Sequence, residues 1–160
     1  MFGVASMTAP LRKVAVMKPG LSLATADPEK WHYGPLFDPN KVAGIHNEFV
    51  QMLQKSGAEV LWMPEDDHGI ADAVFTYDAS LLTMSGAILM SPGKALRSGE
   101  EAIHCEFYKA HNIPVIGAIT GQARAEAGDT LWLDERTLVI GRGFRTNQAG
   151  VEQLKSIVKP

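Results

Sequence analysis

Asp72 to Ser91 reads DAVFTYDASLLTMSGAILMS, and its second half decides the fold. SLLTM and AILMS are short apolar runs meeting at Ser85-Gly86, the pattern of a β-hairpin, and DAVFTYD ahead of them reads as a strand. Ser98 and Glu101 stand at capping-box spacing and predict a helix to about Ala110, closed by His111-Asn112. IPVIGAI, from Ile113 to Ile119, is the next predicted strand. The order then returns. DTLWL (129–133), the turn Asp134-Glu135-Arg136 and TLVIG (137–141) predict a second hairpin. Thr146 is placed to cap a helix with Val151, Leu154, Ile157 and Val158 on its apolar face. Two copies of one supersecondary unit make an internal repeat, and such units bury their faces against one another.

The repeat carries charge as well as pattern. Asp78 precedes Arg97 by 19 positions, and Glu126 precedes Arg145 by the same 19. Each acid stands just before a hairpin, and each Arg precedes a hydroxyl residue, Ser98 or Thr146, at a predicted helix start. Asp72 and Asp78 are six apart, an even spacing that puts both on one face of a regular strand. A carboxylate binds a guanidinium through two parallel charge-assisted hydrogen bonds, and an Arg fork binds a carboxylate in the same way. Acids and arginines gathered at one place therefore suit a ligand with both groups, as arginine and its methylated relatives have. The same spacing suits two structural ion pairs that pin each hairpin to its helix. The spacing alone leaves both readings open.

Upstream the alternation continues. Val14 to Met17 (VAVM), stopped by Pro19-Gly20, reads as a buried strand, and Leu21 to Asn40, with four prolines and glycines, reads as a long loop of the kind that closes over ligands. His32, in Trp31-His32-Tyr33, lies in that loop. Asn40 is the predicted cap of a helix with apolar positions Val42, Ile45, Phe49, Met52 and Leu53 and with Gly57 just past its end. Ala58 to Met63 (AEVLWM) comes next as a strand. Glu65-Asp66-Asp67-His68 lacks the spacing of zinc ligands and reads as a solvated turn, so no metal is expected. The fold class is α/β, built of repeated strand-hairpin–helix–strand units. The 160 residues are read as a single domain with units at about 12–70, 71–119 and 120–160, the last incomplete, and with residues 1–10 disordered.

Composition narrows the function. Apolar residues at 46% and charged residues at 21% are ordinary for a globular chain, and a net charge of −3 offers no basic field for nucleic acid or an anionic membrane. A small molecule is the expected partner. No apolar run reaches membrane-span length, and the first residues lack a signal-peptide core. The single cysteine allows no internal disulfide, which suits the cytoplasm.

DAVFTYD, SPGKALRSGE, EAGDTLWLD and GRGFRTNQAG, in this order and spacing, resemble the dimethylarginine dimethylaminohydrolase and arginine deiminase group of the pentein superfamily. The resemblance runs from about Val14 to the chain end and is clearest after Asp72. It implies a partial five-bladed α/β propeller and a hydrolase of the guanidino group of arginine or a methylated arginine, needing no cofactor. By position it implies that Asp72 and Asp78 hold the substrate guanidinium, that Glu126 is the carboxylate beside the reacting carbon, and that Arg97 and Arg145 grip the substrate carboxylate. Tyr77 stands where dimethylarginine hydrolases tend to carry Glu, and Ala127 replaces the first Gly of the family's E-G-G-D.

The family's attacking Cys and proton-moving His lie in its later modules. Cys105 cannot substitute with His104, because neighbours on a helix point about 100° apart. The last predicted helix leads only to Lys159-Pro160, where the earlier unit has a strand. The expectation is therefore an N-terminal part, inactive alone, whose incomplete repeat pairs with another copy. The alternative is a non-catalytic module for arginine-like ligands, or a subunit completed by another chain.

Overall fold

A computed structural model describes residues 2–158. Met1, Lys159 and Pro160 fall outside that range, and with them the expected lack of a strand after the last helix. The described residues cluster in two compact units: Pro10–Thr76, and residues 77–158 together with residues 2–9. Residues 2–10 hold no helix or strand.

In the Pro10–Thr76 unit, β1 (Lys13–Val16) pairs in parallel with β2 (Glu59–Trp62). The predicted long loop carries two short helices, α1 (Leu21–Ala24) and α2 (Pro28–Trp31), before α3 (Pro39–Lys55). α3 starts earlier than the sequence suggests. Pro39 takes the first turn, where its missing N–H costs nothing, and the Asp38 carboxylate accepts the Asn40 N–H, so the cap is Asp38 and not Asn40. Gly57 lies just past the helix at φ +88°, as predicted. α3 packs on β2 and α1 through the side bearing Val50; Ile45, Phe49 and Met52, predicted to face inward, are exposed.

The predicted strand at Asp72 is absent. Ala71–Val74 form a 3-10 turn whose N–H groups are satisfied locally, Ala73 by Ile70 and Phe75 by Asp72. The strand-face argument for Asp72 and Asp78 therefore fails for want of a strand.

The Tyr77 unit keeps closely to the predicted order. β3 (Ser80–Leu82) and β4 (Ala87–Leu89) form the hairpin, and α4 (Glu100–Ala110) crosses over to β5 (Val115–Ala118), which lies parallel to β4. β6 (Thr130–Asp134) and β7 (Thr137–Ile140) form the second hairpin, and α5 (Gln148–Ile157) comes after it. Both helix caps sit one residue later than predicted. Gly99, at φ +105°, precedes α4 and Glu101 accepts its N–H, while Ser98 makes no cap bond. Asn147 caps α5 by accepting the Gly150 N–H, because the Thr146 hydroxyl is engaged elsewhere. Leu81, Ile88, Met90, Ile119, Ala125, Ala127 and Leu154 make the core beneath both hairpins.

Candidate functional site

Four of the five predicted residues meet in the Tyr77 unit, and they meet as two ion pairs. Arg97 donates from Nη1 to Asp78 Oδ2 at 2.6 Å, and Arg145 donates from Nη1 to Glu126 Oε1 at 3.1 Å. The 19-residue spacing thus closes the same contact twice. The two pairs differ in depth. The Arg97 side chain is 4% exposed and that of Arg145 43%. Sequence reading missed the cause: Glu100, at the first turn of α4, takes Nε and Nη2 of Arg97 at 2.8 Å each. An acid at a helix start reads as a partner of the helix dipole, which hides this role. Burial opposes the Arg97 charge, and the Glu100 and Asp78 carboxylates outweigh it, holding its pKa above the ordinary value. Tyr77, half exposed beside Asp78, has its phenol pKa raised by burial and then by the Asp78 charge.

The next loop, Glu126-Ala127-Gly128-Asp129, is bound to the first pair through its backbone. Ala127 N–H donates to the Asp78 carbonyl at 2.9 Å, and Asp78 Oδ1 lies where a Cβ on Gly128 would stand. Gly128 is required for that approach. Gly93 plays the matching part for the second pair: a Cβ there would lie 2.6 Å from Arg145 Cα, and its N–H donates to Glu126 Oε1 at 2.9 Å. Each acid–arginine pair is closed against a glycine of the other copy of the repeat.

Glu126 is held at three points. Its N–H donates to Thr146 Oγ1 at 3.2 Å, its carbonyl accepts the Asp129 N–H at 3.1 Å, and Oε1 accepts from Gly93 and Arg145. Oε2 takes no hydrogen bond among the described residues, although the side chain is only 6% exposed. The result is a nearly buried carboxylate with one oxygen fixed and the other open to a donor.

Asp72 lies in the Pro10–Thr76 unit, 5% exposed, and Tyr33 from the predicted lid loop donates its hydroxyl to Oδ1 at 2.7 Å. Cys105, partly exposed on α4, makes no hydrogen bond to His104, whose Nδ1 pairs instead with Ser80 Oγ at 2.8 Å. Among the described residues no cluster of three or more His, Cys, Asp or Glu is arranged to hold a metal, and no helix is long and apolar enough to cross a membrane.

Fold and site define an α/β protein whose repeated hairpin–helix units each close a carboxylate–arginine pair. Residues 68–159 match the family model described as arginine deiminase. The chain belongs to that family. It is 33% identical over 113 residues to N(G),N(G)-dimethylarginine dimethylaminohydrolase of Streptomyces coelicolor, a match covering 70% of this chain and 42% of that protein. It is 28% identical over 124 residues to the uncharacterised protein ZK1307.1 of Caenorhabditis elegans, covering 78% and 44%. Among solved structures, a mutant of dimethylarginine dimethylaminohydrolase from Pseudomonas aeruginosa complexed with citrulline superposes with a TM-score of 0.75 at 28% identity, covering 93% of this chain and 57% of that one. The matches span less than half the length of these two curated relatives.

Proposed function

We propose that this chain is the guanidino-binding N-terminal part of a cysteine-dependent hydrolase acting on arginine or a methylated arginine, its units forming part of a propeller-like α/β fold in the cytoplasm. The observation that carries the reading is Glu126, with Oε1 clamped and Oε2 open. A guanidinium N–H donating to Oε2 places the guanidino carbon against a fixed negative charge, where the positive charge of the substrate is favoured. Asp78 is the further carboxylate for the guanidinium. Arg145, partly exposed and paired through Nη1 with Glu126, is the better placed arginine for a substrate carboxylate, with the deeply buried Arg97 second to it.

In the proposed reaction a thiolate attacks the guanidino carbon, the alkylated or free amine leaves with a proton from a histidine, and water then releases the ureido product and the thiol. Cys105 and His104 do not form that dyad, so this reading assigns the nucleophile and the acid–base histidine to residues outside this chain. The same observation supports the second reading, a non-catalytic arginine-binding module or a subunit completed by another chain.

Calorimetry with L-arginine is expected to show weak binding to the 160-residue chain. Glu126→Ala should weaken it about tenfold or more, the value of one lost hydrogen bond to a charged group. No citrulline release is expected from arginine or methylarginines. Equal heats from wild type and Glu126→Ala would remove the site from this function, and turnover abolished by Cys105→Ser would overturn the placement of the nucleophile.

β1–β2 and β6–β7 are each two-stranded sheets among the described residues, and a short sheet with open edges tends to pair further. The chain is accordingly expected to self-associate, which multi-angle light scattering will read as a mass above 17.3 kDa.

A further inference from the structure

The Thr146 hydroxyl is fully buried and bonded on both sides. It donates to Asp129 Oδ2 at 2.6 Å and accepts the Glu126 N–H at 3.2 Å. A hydroxyl has one hydrogen, and the carboxylate of Asp129 can only accept, so the direction of the chain is fixed: Glu126 N–H to Thr146, Thr146 to Asp129. The residues flanking Thr146 complete the grip. Arg145 holds Glu126 Oε1, and Asn147 accepts the Arg124 N–H at 3.1 Å while its own N–H donates to the Arg124 carbonyl at 2.9 Å. Three consecutive residues ahead of α5 thereby hold the segment that delivers Glu126, two residues after Arg124. The hydroxyl is the central contact. Unlike the Asn147 side chain, it caps no helix.

We infer that Thr146 and Asp129 are positioning residues for Glu126, setting the direction in which its open carboxylate oxygen meets a guanidinium. The inference rests on the proposed guanidino-binding role of Glu126 for its functional meaning, and on the hydrogen-bond chain alone for its geometry. Without the hydroxyl, the Glu126 N–H loses its acceptor in a buried setting, the backbone at 126 relaxes, and Oε1 leaves Gly93. Thr146→Val keeps the shape and removes the hydroxyl; Thr146→Ser keeps the hydroxyl and removes a methyl.

The test uses the 160-residue chain and amide hydrogen exchange by NMR. Gly93 N–H reports the Glu126 carboxylate, because that is its acceptor. Ser91 and Ala125, which exchange backbone bonds at 3.1 and 3.0 Å on either side, report the surrounding structure. In Thr146→Val, Gly93 is expected to exchange about tenfold faster while Ser91 and Ala125 keep their protection, and Thr146→Ser should restore Gly93. Arginine affinity should fall with Gly93 protection and return with it. Should Thr146→Val fail to fold, Asp129→Ala removes the other end of the chain at a partly exposed position and is expected to act in the same direction. Unchanged Gly93 protection, or equal loss at Gly93, Ser91 and Ala125, overturns the positioning role. If wild type binds no arginine, the functional reading of Glu126 fails, and the Gly93 comparison still decides the positioning role.

Discussion

Replacing Arg97 with methionine is expected to destabilise the chain by about 3–5 kcal/mol, the usual cost of stripping one partner from a buried ion pair. Arg97 is 3% exposed and Glu100 1%, so the variant leaves the Glu100 carboxylate buried with both oxygens deprived of their guanidinium donors. Asp78, at 24% side-chain exposure, recovers part of its loss through water. For a chain of this length the melting temperature should fall by about 10 °C. Adding Glu100→Leu to Arg97→Met removes the stranded charge, and the double variant should be more stable than the single one. Thermal and urea unfolding of the three proteins will measure this. A loss below about 1 kcal/mol for Arg97→Met would mean that Asp78, Arg97 and Glu100 do not act as a buried unit.

The ion pairs were the legible part of the site. A repeat places its polar residues at equivalent points, so the 19-residue spacing singled out all four residues and offered the two pairs as one of two open readings. The hairpins, α4 and α5 were legible for a related reason, since each has a periodic apolar face bounded by turn or cap chemistry. Thr146 shows where such reading ends. A hydroxyl before a helix predicts a cap, but Asn147 one residue on has the same ability, and the Asp129 carboxylate, 17 residues upstream, captures the hydroxyl first. Asp72 shows a second limit: DAVFTYD has the apolar content of a strand, while the local turn bonds at Ile70 and Asp72 make a 3-10 turn of its first half. On α3 the apolar residues span more of the helix than one partner covers, so periodicity did not choose between the Val50 side and the Ile45–Phe49–Met52 side.

Stability should also climb steeply with pH between about 4 and 6.5, and His104 is the main group responsible, with His46, whose pKa burial also lowers, adding in the same direction. Burial, and then the Arg97 charge, lower its pKa to about 4 from the ordinary 6.5. The ring sits in a buried polar cluster, with Nδ1 2.8 Å from Ser80 Oγ and that oxygen 2.6 Å from the Tyr108 hydroxyl. A neutral ring satisfies Ser80 through Nδ1 as donor or acceptor according to its tautomer; a protonated ring would place a second cation near Arg97. Inside the window the unfolded chain binds this proton and the folded one does not, so the stability is fully present above the unfolded value and is lost as pH falls toward the folded one. The difference amounts to about 3 kcal/mol across the window. The exposed Asp38 and Asp134 carboxyls do not imitate it. The Asn40 and Arg136 backbone N–H groups hold their pKa values below 3.8, so both titrate under the window. His104→Asn keeps a polar atom near Ser80 and cannot take up the proton. It should start less stable at about pH 7, for the lost ring, and show a much flatter profile down to about pH 4. Urea unfolding of both proteins at half-unit steps will decide. Parallel profiles would assign the acid sensitivity to carboxylates and leave His104 as a packing residue alone.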